Sequence, residues 1–390
     1  MFPKLRFKEF DGDLTESKLV ELTSWASGGT PAKDVPEYWG DGIPLISGAS
    51  MHTNQLYESD VKITKLGLQK GSKLALKDSI LILVRGSMLF NKIPMGITLG
   101  DVAFNQDVKC IRPKQQLAPL FLFQWLHAKE NTIQNKVTAT GIGAGKLDTA
   151  DLQNLKLYKP SLEEQTKIAT FLSAVDEKIS QLTQKHQLLR EYKQGMMQKL
   201  FSQQVRFKAD DGSEFGEWEN ILVKEIFDVT RGQVLAVSNT VSVADTDYKY
   251  PVFSSQTKQK GLMGFYKKYL FEDALTWTTD GANAGDVNFR KGKFYCTNVC
   301  GVLLSKKGYA NLCIAEILNK VTHKYVSYVG NPKLMNNVMS EIPITIPSNL
   351  EEQTKIANFL SSIDQKIEVV AQQIEQAKQW KKGLLQNMFV

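Results

Sequence analysis

The chain has 390 residues, enough for two or three domains, with 42% hydrophobic and 23% charged side chains. That mixture excludes a disordered or collagen-like chain, and four cysteines (Cys110, Cys296, Cys300, Cys313) are too few for a disulfide scaffold. A net charge of +7, from 48 basic and 41 acidic residues, permits a polyanionic partner without requiring one. No run of 18 apolar residues exists and residues 1–8 lack a secretory apolar stretch, so no membrane partner is expected and the cytoplasm is the default location.

In chain order, residues 1–160 read as a first mixed α and β block. Turn signals at Gly28-Gly29-Thr30-Pro31 and along Tyr38-Trp39-Gly40-Asp41-Gly42-Ile43-Pro44 flank strand starts. Ile80-Leu81-Ile82-Leu83-Val84 is a buried strand by its unbroken apolar run, and residues 117–126 read as a helix. Gly141-Ile142-Gly143-Ala144-Gly145 is read as a loop entering the block's last strand. A dinucleotide site would need a strand before it and an acidic residue ~20 positions on. The polar loop residues suited to base edges are Ser47, Ser50, His52, Asn54, Arg85, Ser87, Asn105 and Gln106. Arginine matches guanine, and asparagine or glutamine matches adenine, because their paired groups fit those major-groove edges. Lys62 and Lys65 suit phosphates, which position a protein without specifying sequence.

Residues 161–202 form a long helix with a heptad seam: Ile168, Leu172, Val175, Ile179, Leu182, His186, Leu189, Lys193, Met196, Leu200. About 40 residues at ~1.5 Å each would span ~60 Å. Residues 203–348 are a second mixed block, whose base-reading candidates are Ser254, Ser255, Gln256, Thr278, Thr279, Asp280, Asn283 and Arg290. Val302-Leu303-Leu304 reads as a buried strand and residues 312–321 as a helix. Residues 349–390 repeat the long helix with the seam Ile356, Leu360, Ile363, Ile367, Val370, Ile374, Ala377, Lys381, Leu384, Met388.

The repeat carries the reading. Leu162-Glu163-Glu164-Gln165-Thr166-Lys167-Ile168-Ala169 recurs as Leu350-Glu351-Glu352-Gln353-Thr354-Lys355-Ile356-Ala357, and through Ile179 and Ile367 14 of 18 positions are identical at an offset of 188. Arg6-Phe7-Lys8 recurs as Arg206-Phe207-Lys208, and Lys146-Leu147 as Lys333-Leu334. The block interiors share little. A helix leaving each block with an open seam closes it on its twin only by antiparallel packing, which predicts two globular blocks held apart by a two-stranded antiparallel coil. The lysines at seam positions 193 and 381 have two readings: a polar contact that fixes register or faces a partner protein, or, the one expected, a stem along the seam with the ammonium in water.

The Leu-Glu-Glu-Gln-Thr-Lys-Ile-Ala-x-Phe-Leu repeat, Gly28-Gly29-Thr30-Pro31, Tyr38-Trp39-Gly40-Asp41-Gly42-Ile43-Pro44 and Asn105-Gln106 together resemble the DNA specificity subunit of type I restriction–modification enzymes. The resemblance covers essentially the whole chain. Where the family often has an aromatic after the proline, this chain has Leu45-Ile46. The resemblance implies that residues 1–160 and 203–348 are two target-recognition domains, each reading half of a split site in double-stranded DNA. It implies too that the helices, through Glu163, Glu164, Gln165, Phe171 and Glu351, Glu352, Gln353, Phe359, dock two methyltransferase subunits, with restriction subunits as further partners. S-adenosylmethionine would then sit on the methyltransferase and no cofactor on this chain.

The residues themselves are consistent with a non-catalytic chain. The four histidines (His52, His127, His186, His323) are scattered and form no metal or triad pattern, and the chain lacks nucleotide-loop and nuclease motifs. The competing reading from sequence is a coiled-coil adaptor with two protein-binding blocks and no DNA, separable by salt-sensitive DNA binding.

Overall fold

The computed structural model describes residues 2–389 except Ile142, Gln256, Thr257 and Lys306. It divides into two compact units, Met1–Gln184 with Ala371–Val390, and Lys185–Val370. Each contains one mixed α/β block and half of each long helix.

In the first unit, the strands Thr23–Ser27, Val108–Pro113, Ile80–Leu83 and Met95–Thr98 pair antiparallel in that order, with Gln55–Leu56 added parallel at the edge. A second sheet orders Lys62–Ile63, Trp39–Ile46, Val102–Phe104 and Lys73–Ala75. The run Ile80 to Val84 is buried, as its unbroken apolar character requires. The helix foreseen at 117–126 begins two residues later, as Pro119–Ala128, because Pro119 suits a first helical turn.

The second unit repeats the framework: Asp228–Arg231, Cys300–Leu304, Phe271–Thr278 and Val287–Cys296 are antiparallel in the same spatial order. Tyr250–Phe253 then runs parallel to the end of Val287–Cys296, as Trp39–Ile46 runs parallel to Val102–Phe104. One long strand here does what two strands do in the first unit, so a single six-stranded sheet replaces two. The correspondence holds at the glycines after the first strands. A Cβ on Gly28 would lie 2.1 Å from the Phe104 carbonyl oxygen, and one on Gly232 would lie 2.3 Å from that of Cys296. Only hydrogen fits between those backbones.

The long helices run Leu162–Phe201 and Leu350–Met388. Each start is capped from outside: Ser161 Oγ accepts from the Glu164 N–H at 3.2 Å, and Asn349 Oδ1 from the Glu351 N–H at 2.7 Å. Every seam position named above is buried or half-buried. In the first unit Lys381 donates to Asp176 Oδ1 at 2.5 Å; in the second Lys193 donates to Asp364 Oδ2 at 2.9 Å and to Glu316 Oε1 at 3.2 Å. These two contacts are equivalent under the offset of 188, and they run in opposite order along the two helices, the antiparallel arrangement expected from sequence. The lysines are the correction. Their ammonium groups are not left to water alone but pair with aspartates of the opposite helix, on side chains 18% (Lys193) and 12% (Lys381) exposed. All four cysteines are buried thiols.

Candidate nucleic-acid interface

The most distinctive motif does its work at the starts of the two long helices. Arg6 donates through Nε and Nη2 to the two oxygens of Glu164, both at 2.7 Å, and Nη2 also reaches the Gly12 carbonyl. Arg206 does the same to Glu352 at 3.0 and 2.9 Å, with Gly216 as the carbonyl. Gln165 donates to the Pro160 carbonyl and accepts from the Ala118 N–H; Gln353 donates to the Pro347 carbonyl and accepts from Asn311 Nδ2. Ala118 and Asn311 are the N-cap residues of the helices Pro119–Ala128 and Leu312–Val321. The second glutamate and the glutamine of each triplet thus pin the segment before each block and the block's own helix onto the long helix.

This corrects the expected docking surface. Glu164, Gln165, Glu352 and Gln353 are at most 2% exposed and spent on the chain itself. Phe171 packs against Phe7 and Trp380, and Phe359 against Phe207. Of that set only Glu163 and Glu351 stay exposed.

In the first block the structure gathers Ser47, Ser50, His52 and Lys62 around one groove of about 900 Å³, together with Trp39, Asp41 and Glu58. Ser50 is not available there. Its hydroxyl accepts from the Ser47 N–H and donates to the Ser47 carbonyl, closing a tight turn. Lys62 lies 3.9 Å from Asp41 with both side chains well exposed. Arg85 and Gln106 line a second, smaller pocket with Lys109 and Lys146. Asn105 turns inward: its Oδ1 accepts from the Asp107 N–H, and its own N–H donates to the Ile46 carbonyl, so it shapes the turn. Asn54, Lys65 and Ser87 are exposed outside both cavities. The glycine-rich segment, whose Ile142 lies outside the described residues, does not enter the block's last strand, which is Lys156–Lys159; Gly145 begins the short strand Gly145–Lys146, and the Gly143 N–H donates to the Thr140 carbonyl.

In the second block Ser254, Thr278, Asn283 and Arg290 line a pocket of about 190 Å³. Arg290 is corrected as a free base reader. It is 9% exposed, donates through Nε to Thr276 Oγ1 and through Nη2 to the Lys260 carbonyl, and stacks 3.7 Å over the Phe253 ring. Burial pulls its pKa down to about 10, so it stays charged near neutrality. Thr279 is fully buried, its hydroxyl 2.6 Å from Asp280 and 3.0 Å from the Val299 carbonyl, and is likewise structural. Ser255 is half-buried, Asp280 faces Lys333, and Gln256 lies outside the described residues.

Sequence reasoning missed Lys109, Lys146 and Asn288 as cavity-lining groups. Lys109 was findable, since it alternates outward between buried Val108 and Cys110. Among the described residues no group of three His, Cys, Asp or Glu side chains could hold a metal, and no helix is long and apolar enough to cross a membrane.

Known proteins resemble this arrangement along its whole length. A family model described as "Type I restriction modification DNA specificity domain" matches twice, over residues 12–190 and 216–379. The MjaVIII specificity subunit of Methanocaldococcus jannaschii is 26% identical over 97% of this chain and 94% of its own length. The EcoR124I/EcoR124II specificity subunit of Escherichia coli is 29% identical, over 46% of this chain and 45% of its own. A putative type I specificity subunit of Mycoplasma pneumoniae is 36% identical over 40% of this chain and 43% of its own. The chain therefore spans about half the length of two of these relatives and nearly all of the third. In fold it is similar to the crystal structure of a type I restriction-modification S subunit from M. genitalium, with a TM-score of 0.68 at 18% identity, covering 100% of this chain and 99% of that one.

Proposed function

We propose a function from one premise: the chain belongs to the type I restriction–modification DNA specificity family. On that premise it is a non-catalytic specificity subunit that reads a bipartite, asymmetric site in double-stranded DNA. It brings two methyltransferase subunits, and restriction subunits where present, to that site in the cytoplasm; S-adenosylmethionine belongs to the methyltransferase. Residues 1–160 and 203–348 serve as the two target-recognition domains, and 161–202 and 349–390 as the spacer.

The observation that supports this best is the doubled framework with undoubled edges. Both units hold the same strand order and the same helix-start clamp, while the polar residues around their cavities differ. Two identical readers would suit a palindrome; two dissimilar ones suit a target with unlike halves. Among the groups facing the cavities, Gln106, Asn283 and Asn288 are of the types that match base edges.

The test is methylation mapping in cells that carry this chain with its partner methyltransferase. A split motif with two unlike halves is expected, and exchanging residues 20–145 for those of another family member should change one half alone. If both halves changed together, the two domains would not read independently; if the chain bound no DNA and only proteins, the adaptor reading would replace this one.

A further inference from the structure

The two units finish their sheets in the same way and with opposite charge. In the first, Lys146 pairs with Thr138 on one side and Arg85 on the other, and the Leu147 N–H donates to the Val84 carbonyl at 2.9 Å. In the second, Lys333 pairs with Ser327 and Asp280, and the Leu334 N–H donates to the Thr279 carbonyl at 2.9 Å. Arg85 and Asp280 are therefore the same position, as are Lys146 and Lys333.

Asp280 and Lys333 approach to 4.0 Å and neutralise each other. Arg85 and Lys146 are two cations directly across an antiparallel pair, an arrangement that costs stability. Neither has an ion-pair partner among the described residues. They line a pocket of about 160 Å³ with Gln106 and Lys109. The carboxylate in that lining, Asp148, is turned to the Ala150 N–H, which it caps at 3.0 Å. Three cations against one carboxylate leave the pocket at +2.

We infer that this pocket seats a phosphate of the DNA backbone between Arg85 and Lys146, and that the second unit has no counterpart. A guanine edge presents two neutral acceptors to one arginine, and that leaves the like-charge pair uncompensated. A full anion between the two cations removes the repulsion and uses both sets of donors. This rests on the DNA-reading function above and refines it: Arg85 positions the duplex and does not read it, so the two units grip DNA unequally.

The experiment uses the full chain and random-sequence duplex DNA, with affinity followed against salt, and a selection from a random duplex pool to give sequence preference. Arg85→Gln and Lys146→Gln should each flatten the salt slope by about one, worth about tenfold in affinity at 0.1 M salt. The loss should be equal on random and selected sequences, and the preferred sequence should not change. Lys146→Arg should restore binding, and Lys333→Gln should leave affinity within about twofold of the parent. Unchanged slopes, a changed preference in the Arg85 variant, or a Lys333→Gln loss equal to that of Lys146→Gln would each overturn the proposal. A parent chain that binds duplex without any preference would overturn the function proposed above, while the slopes still decide the pocket. No duplex binding at all would overturn both.

Discussion

Residues 23–113 and 228–304 are built on one strand order and differ in how the sheet is carried to its edge. In the first unit the chain breaks after Thr98, turns through Leu99-Gly100-Asp101, and starts again as Val102–Phe104. Asp101 Oδ1 accepts from the Lys77 N–H and holds that turn. In the second, Val287–Cys296 runs unbroken through Gly292, whose N–H donates to Asp273 Oδ1. The broken strand gives two sheets, in a unit that also holds a groove of about 900 Å³ and a cationic pocket. The unbroken one gives a single sheet, a pocket of about 190 Å³ and a buried arginine clamped by its own chain. A scaffold held by a few repeated backbone contacts and clamps leaves the side chains at the edges free to diverge in shape and charge.

The widest gap between the units is expected at alkaline pH. Burial pushes the Cys300 thiol up to about 11 and raises those of Cys296 and Cys313, all in the second unit; the first has only Cys110, also raised by burial. A raised thiol holds its proton when folded and releases it near pH ~8.5 when unfolded. Its contribution is therefore complete below ~8.5 and lost as pH climbs toward the folded value, by at most about 1.4 kcal/mol per pH unit per thiol. Amide exchange between pH 8 and 11 should show the second unit loosening first. Equal loosening would mean the thiols do not govern it.

The helix-start clamps are expected to matter equally. Glu164→Ala and Glu352→Ala each leave an arginine 14% or 19% exposed without its carboxylate, costing about 3 kcal/mol apiece in denaturant unfolding. A difference above about 1 kcal/mol would break the equivalence the repeat implies.

The seam pairs should separate. Asp176 serves both Lys381 and the buried Gln124, whereas Lys193 keeps Glu316 when Asp364 is removed. Asp176→Ala should cost about 2–3 kcal/mol and Asp364→Ala about 1, read by thermal melting of the full chain. Lys193→Leu with Lys381→Leu should lower the melting temperature, since it strands two aspartates. The smallest effect is at the surface: Lys62→Ala, breaking the exposed 3.9 Å pair with Asp41, should stay within about 0.5 kcal/mol.

The long helices, their seam and the repeat were legible in the chain itself. A four-three apolar spacing dictates one helix stripe whatever surrounds it, and two identical helix starts need nothing beyond the chain to be noticed. The buried runs at Ile80 to Val84 and at Val302 and Leu303 were legible for the same local reason. What decided the candidate site came from distant segments. Nothing near Thr279 announces that the Val299 carbonyl will claim its hydroxyl, nor anything near Arg290 that Lys260 will; Glu164 looks like a helix-surface acid until Arg6 arrives from 158 residues away. Opposite signs at Arg85 and Asp280 acquire meaning only when strand register places both beside equivalent lysines. Periodicity is a property of neighbouring residues and survives in the sequence; a donor's partner is set by which strands meet, and only the tertiary structure decides that.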